Sequence, residues 1–189
     1  MKSVLGRLVS FTGRRWVYSG MWVLLTSPFF GASAQASEAS LRVAFVYNFL
    51  KFIEWPQAER ESISLCVLGA EEPSRQALAQ MEKKFRQQRR IRVAYFANNR
   101  ELQSQLSSCH MLYRPESSAR FILPPLLPAG ILLVADEPDP KEQQVSIALV
   151  RTLDNRIEFI INEAAIGQAG VKVSSQLLKL AKKRSKEQR

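Results

Sequence analysis

Along residues 38–55 (EASLRVAFVYNFLKFIEW) the positions Leu41, Ala44, Phe45, Asn48, Phe49 and Phe52 recur three and four apart, the spacing of one helix face. A helix is expected over this stretch, opened by Ser37 or Ser40 as a cap and stopped by Pro56. Val43, Val46, Tyr47, Leu50 and Ile53 spread apolar character around the rest of the circumference, more than one buried face needs. Most of these side chains are expected in a core, and part of the surplus against another chain.

Beyond this helix the pattern alternates between strand-like and helix-like segments. Strands are expected over residues 63–68, 91–96, 111–113 and 131–135; the last is apolar throughout, as a strand covered on both faces requires. Helices are expected over 74–88, opened by Glu72-Pro73, and over 100–106, opened by Asn98 and Asn99. A proline-rich connection follows from Pro115 to Pro128. This alternation implies a mostly parallel sheet with helices on both sides. Two more strands, over 145–150 and 157–161, flank an Asp154-Asn155 turn and predict an antiparallel hairpin at the sheet edge. Gly167 and Gly170 interrupt the helical segment after Asn162, and a closing helix is expected over 174–183. The expected fold is a single α/β domain over residues 37–189. Its sheet is mixed, mostly parallel and of about six strands, flanked by helices.

The first 36 residues differ in character. Lys2, Arg7, Arg14 and Arg15 precede an apolar stretch, residues 16–30, and then two small-residue cleavage patterns, Ala32-Ser33-Ala34 and Ala34-Gln35-Ala36. That is the layout of a secretory signal, and the mature chain is expected to begin at Gln35 or Ser37. The apolar stretch is shorter than the roughly 20 residues of a membrane span and is broken by Ser19, Gly20, Thr26, Ser27 and Pro28. The leader holds four of the 27 basic residues and none of the 17 acidic ones, so the net charge of +10 falls to +6 on its removal. The excess sits in residues 83–92 (KKFRQQRRIR) and 179–189 (KLAKKRSKEQR). Neither run carries the stacking aromatics or reader helix of a nucleic-acid binder. The first is expected to be a solvated helix face and the second a soluble end.

Cys66 and Cys109 are the two cysteines, both in the mature part. An even count in an exported chain favours a disulfide tying two strand regions of one sheet. A reactive thiol would need an activating cation or helix start, and only His110 lies beside Cys109.

No catalytic constellation emerges. With one histidine and both thiols oxidised, a His/Cys metal site is hard to assemble. Phosphate-binding glycine loops, nucleophile elbows and dinucleotide fingerprints are absent from the sequence, so no cofactor is implied. Ser107 or Ser108 with His110 and Asp136 makes a triad on paper without a supporting motif. Acids follow two strand ends, Glu71 and Glu72 after the first strand and Asp136, Glu137 and Asp139 after the fourth. Ligands favour that edge of open α/β sheets, but capping and turns explain acids there equally.

Two long segments carry a resemblance. Residues 41–56 (LRVAFVYNFLKFIEWP) resemble the opening signature of the YfiR-like periplasmic family in their Tyr-Asn-Phe, Lys-Phe and Glu-Trp-Pro elements. Residues 156–181 (RIEFIINEAAIGQAGVKVSSQLLKLA) are similar to its closing segment, notably Phe159, Ile161, Asn162, Ala164 and Gly170 to Leu180. Cys66-Val67-Leu68-Gly69 and Cys109-His110 fall where the family has its first strand and a third-strand cysteine. The resemblance implies a non-enzymatic regulator, often dimeric. It would hold down cyclic-di-GMP synthesis by binding the periplasmic sensor domain of an inner-membrane diguanylate cyclase, and an outer-membrane lipoprotein would capture and release it. Two features depart from the family: residues 141–144 (KEQQ) stand where a glycine pair is common, and the second disulfide of some members is missing. A partner surface is expected near Lys51, Glu54 and Trp55 of the first signature and Gln168, Lys172 and Gln176 of the second. The rival expectation is a small-molecule-binding domain that uses the strand-end acids and the aromatic helix.

Overall fold

The computed structural model describes residues 37–55, 62–82, 85–86 and 89–182, with the backbone alone for Phe85–Arg86. The expected secretory segment lies outside the described residues, as does most of the basic end.

Helix α1 (Glu38–Phe52) starts at Ser37, whose hydroxyl accepts the Ser40 N–H at 3.2 Å. Its buried stripe is Arg42, Val43, Val46, Phe49 and Leu50. The expected stripe is therefore corrected, because Leu41, Ala44 and Asn48 face solvent. Both faces are apolar enough to bury. The one chosen keeps the Asn48 amide in water and carries Arg42 to strand-end carboxylates that neutralise it. The helix also ends three residues early. Ile53 and Glu54 leave it as β1 (Ile53–Glu54), which pairs antiparallel with β9 (Lys172–Val173), Ile53 opposite Val173 and Glu54 opposite Lys172. The Ser174 N–H extends this ribbon by donating to the Phe52 carbonyl at 2.9 Å.

The main sheet contains β2 (Ser62–Leu68), β3 (Phe85–Arg86), β4 (Arg89–Phe96), β5 (Met111–Arg114), β6 (Leu132–Asp136), β7 (Ile147–Arg151) and β8 (Ile157–Ile161). Their spatial order is β3-β4-β2-β5-β6-β7-β8. The five from β4 to β7 run parallel, and β3 and β8 close the edges antiparallel. Ranked by their place in the chain, the parallel strands follow the doubly wound order 2-1-3-4-5, and the winding reverses between β2 and β5. The mostly parallel sheet, its flanking helices and the β7–β8 hairpin are as expected.

The expected helix over 74–88 is another correction. Helix α2 (Ser74–Ala79) stops early, and Phe85–Arg86 pairs with β4 as an edge strand. A helix through this run would stack like charges three and four apart. On an extended edge they spread apart and discourage pairing with another chain. The cluster is thus a sheet edge where it is described, not a helix face.

Three short helices complete the fold. Asn98 caps α3 (Asn99–Gln105), Asn162 caps α4 (Glu163–Ala169), and Ser174 caps α5 (Ser175–Leu180), each through a side-chain oxygen accepting a backbone N–H. The closing helix is shorter than expected because Lys182 turns back to bridge Ile160.

Strand alternation divides the interior in two. On one face Val43, Val46, Phe49 and Leu50 of α1 pack on Leu65, Met111, Leu132 and Ile147. On the other, Leu102 of α3 and Leu123 of the proline-rich connection cover Leu68, Leu112 and Leu133. The Cys66–Cys109 disulfide lies in this second core with a Cα–Cα distance of 5.7 Å, joining β2 to the residue two before β5.

Candidate functional site

The crevice at a point of reversed winding is where open parallel sheets hold ligands. At this one, Gly69 turns the chain out of β2 with φ of +65°; a Cβ there would lie 2.6 Å from the Phe121 ring and 2.7 Å from the Ser118 Cβ. Only glycine satisfies both demands.

On the α1 side, the ends of β5, β6 and β7, the loop after β2 and the first turn of α1 surround a cleft of about 250 Å³. Glu38 and Arg42 come from α1, Glu71 and Glu72 follow β2, Pro115 and Glu116 follow β5, Asp136 ends β6 and Arg151 ends β7. Arg42 is 3% exposed. Its Nη2 donates to Glu137 at 2.6 Å, its Nε to Glu38 at 2.9 Å and its Nη1 to the Leu149 carbonyl at 3.4 Å. Asp136 is 2% exposed and accepts the Tyr113 hydroxyl at 2.7 Å through Oδ2. Its Oδ1 has no hydrogen-bond partner, and Arg42 Nη1 stands 3.8 Å away. Glu137 has a left-handed φ of 44°, held there by its carboxylate accepting the Arg151 N–H at 2.8 Å and by Arg42.

These environments separate the carboxylates. Burial pushes Asp136 up to about 6, against the lowering pull of the Tyr113 hydrogen bond and the Arg42 charge. Burial, joined by the nearby Asp136 charge, raises Tyr113 well above the phenol range. Burial also pushes Glu38 upward, but hydrogen bonds from Arg42 and Arg151 outweigh it and hold that carboxyl below its ordinary value.

A pH dependence follows. The folded chain holds the Asp136 proton more tightly than the unfolded chain does. That contribution is therefore full below the unfolded value of 3.8 and lost as pH rises through about 6. The unfolding free energy of the wild type relative to Asp136→Asn should fall by about 2–3 kcal/mol between about pH 4 and pH 7. Urea titrations of both proteins across that range measure it; a difference that stays flat would contradict the buried, ionising Asp136.

The paper triad does not form. His110 precedes β5 and Asp136 ends its parallel neighbour β6, so the two lie at opposite ends of adjacent strands. His110 is buried, its Nδ1 accepts the Ser64 N–H at 3.1 Å, and the Trp55 ring meets it edge-on at 6.0 Å. Ser108 donates to the Gln105 carbonyl. Of the strand-end acids, Glu71, Glu72 and Asp136 line the cleft and Glu137 braces Arg42, whereas Asp139 accepts the Lys141 N–H in a separate turn. Arg42, Glu38, Glu116 and Arg151 were not singled out from the sequence. The one available signal was a cation at position 42 on the stripe of Val46 and Phe49.

The two signature segments meet at the other end of α1. Glu54 and Lys172 are register partners in the β1–β9 ribbon, both exposed. Lys51, exposed, sits 4.4 Å over the Tyr47 ring, and Gln168 and Gln176 are exposed on α4 and α5. Trp55 is 5% exposed and donates its indole N–H to the His110 carbonyl at 3.1 Å, so it anchors the ribbon rather than facing outward.

Fold and site define a doubly wound α/β domain with a cleft at its switch point and a short ribbon joining residues 53–54 to residues 172–173. The chain belongs to the YfiR/HmsC-like family, whose model matches residues 39–182. No curated protein matches it as an individual relative. The family match takes in both signature segments and the ribbon they build.

Proposed function

We propose that this chain is a periplasmic, non-enzymatic regulator that binds the sensor domain of an inner-membrane diguanylate cyclase and lowers cyclic-di-GMP synthesis. Family membership across nearly all of the described chain carries this reading. A disulfide between Cys66 and Cys109 suits an oxidising compartment, as does the expected leader. The partner surface is the β1–β9 ribbon with its flanks, where Lys51, Glu54, Lys172 and Gln176 are exposed over a buried Trp55. Gln168 lies beyond it on α4. Capture by an outer-membrane lipoprotein and pairing with a second copy of the chain belong to the same reading.

The test is charge reversal across one register pair. Glu54→Lys and Lys172→Glu should each weaken cyclase-domain binding about tenfold, equivalent to about 1.4 kcal/mol. The double reversal restores the cross-strand pair but not the charges presented to a partner, so it should stay weak. Unchanged affinity in the single variants, or full recovery in the double, would remove this surface from the proposal.

A further inference from the structure

We infer that helix α5 and the basic residues around it dock on an anionic phospholipid bilayer. This goes beyond the regulator reading and stands without it. Leu177 alone of the α5 residues is buried, and the other five are exposed. Two of those five are large apolar side chains, Leu178 at 42% exposure and Leu180 at 70%. They bracket Lys179, which is exposed and makes no ion pair among the described residues.

Charge selects the partner. Residues 164–186 hold six basic residues, Lys172, Lys179, Lys182, Lys183, Arg184 and Lys186, and no acidic one. Lys172, Lys179 and Lys182 are exposed, and of these Lys182 also pairs with Glu158 at 2.6 Å. The Lys182 N–H donates to the Phe159 carbonyl at 2.9 Å, so β8 fixes the point where the rest of the run joins the fold, two residues from Leu180. A cluster of roughly four to eight basic residues beside a helix that faces a membrane is the pattern anionic headgroups attract, each residue strengthening binding about fivefold.

The two leucines favour lipid over an acidic protein. An acidic protein surface would partner the lysines and leave Leu178 and Leu180 without apolar contact. In a bilayer the leucines enter the boundary between headgroups and acyl chains, which requires no complementary pocket. The lysine stems lie along the same boundary with their ammonium groups at the phosphates.

Co-sedimentation of the mature, disulfide-intact chain with lipid vesicles tests the face. One set of vesicles is made of equal parts phosphatidylglycerol and phosphatidylethanolamine, the other of phosphatidylcholine alone. Binding to the first set is expected, weakening as salt is raised, with none to the second. Lys183→Glu/Arg184→Glu should weaken binding about a hundredfold or more. Leu178→Ser/Leu180→Ser changes exposed side chains only and leaves the net charge as it is, yet should weaken binding about tenfold. A melting temperature equal to that of the wild type separates lost docking from a lost fold. The proposal is overturned by an absence of binding to the anionic vesicles or by equal binding to phosphatidylcholine. Binding that the leucine substitutions leave unchanged would also overturn it, since any acidic surface would then serve. Self-association that those substitutions dissolve, without vesicle binding, would assign the face to a second copy of the chain instead. The cyclase is not in this assay, so its outcome is separate from that of the regulator reading.

Discussion

Glu142→Ala is expected to destabilise the fold by about 3–5 kcal/mol, because it strands a buried cation. Arg114 closes β5 at 2% exposure, and its Nη1 and Nη2 each lie 2.6 Å from one oxygen of Glu142. Its Nε is also buried and has no partner, so Glu142 supplies the counterion and both hydrogen bonds of the guanidinium head. A guanidinium cannot escape by losing its proton. Glu142 also accepts the Asp139 N–H at 3.1 Å, tying down the turn that carries it. Residues 141–144, where the family commonly has a glycine pair, thus hold the charge that Arg114 requires. Urea unfolding should show the full loss in Glu142→Ala and recovery of at least half of it in Arg114→Met/Glu142→Ala, where nothing charged is left buried. A double variant no more stable than the single one would mean that the pair is not what holds this edge.

The disulfide is expected to contribute on a similar scale. Cys66 and Cys109 are 43 residues apart and lie in a fully covered core. Closing a loop of that length removes unfolded-chain entropy equivalent to about 4 kcal/mol. Cys66→Ala/Cys109→Ala should lose about that much in chemical denaturation, and the loss should match that of the wild type under a strong reductant. A change under about 1 kcal/mol would show that the unfolded chain is already compact in this region.

What the sequence revealed, and what it concealed, divides along physical lines. The parallel strands were legible because each is a bounded apolar run, and the disulfide because two cysteines behind an expected secretory leader leave one pairing. Residues 74–88 misled because their composition suits a helix while pairing with β4 claims part of their backbone, a tertiary choice with no local trace. The buried face of α1 was ambiguous because the helix is apolar almost all round. The β1–β9 ribbon is only two residues per strand and joins segments far apart in sequence, so no periodicity announces it. For the cleft, the acids after the strand ends were visible and the edge they occupy was inferred. Their main counter-ion was not, because Arg42 arrives from a helix far away in sequence. The expected stripe of Leu41, Ala44 and Asn48 left Arg42 off the buried face, so its charge among Val46 and Phe49 went unused.

The central claim is recognition of a cyclase sensor domain, and titration of the mature chain with the periplasmic part of its host's diguanylate cyclase, under oxidising and reducing conditions, tests it most directly. The regulator reading predicts saturable binding by the oxidised protein that weakens when the Cys66–Cys109 bond is reduced. No binding by a folded, disulfide-intact chain would contradict it and leave the switch-point cleft as the place to look for function.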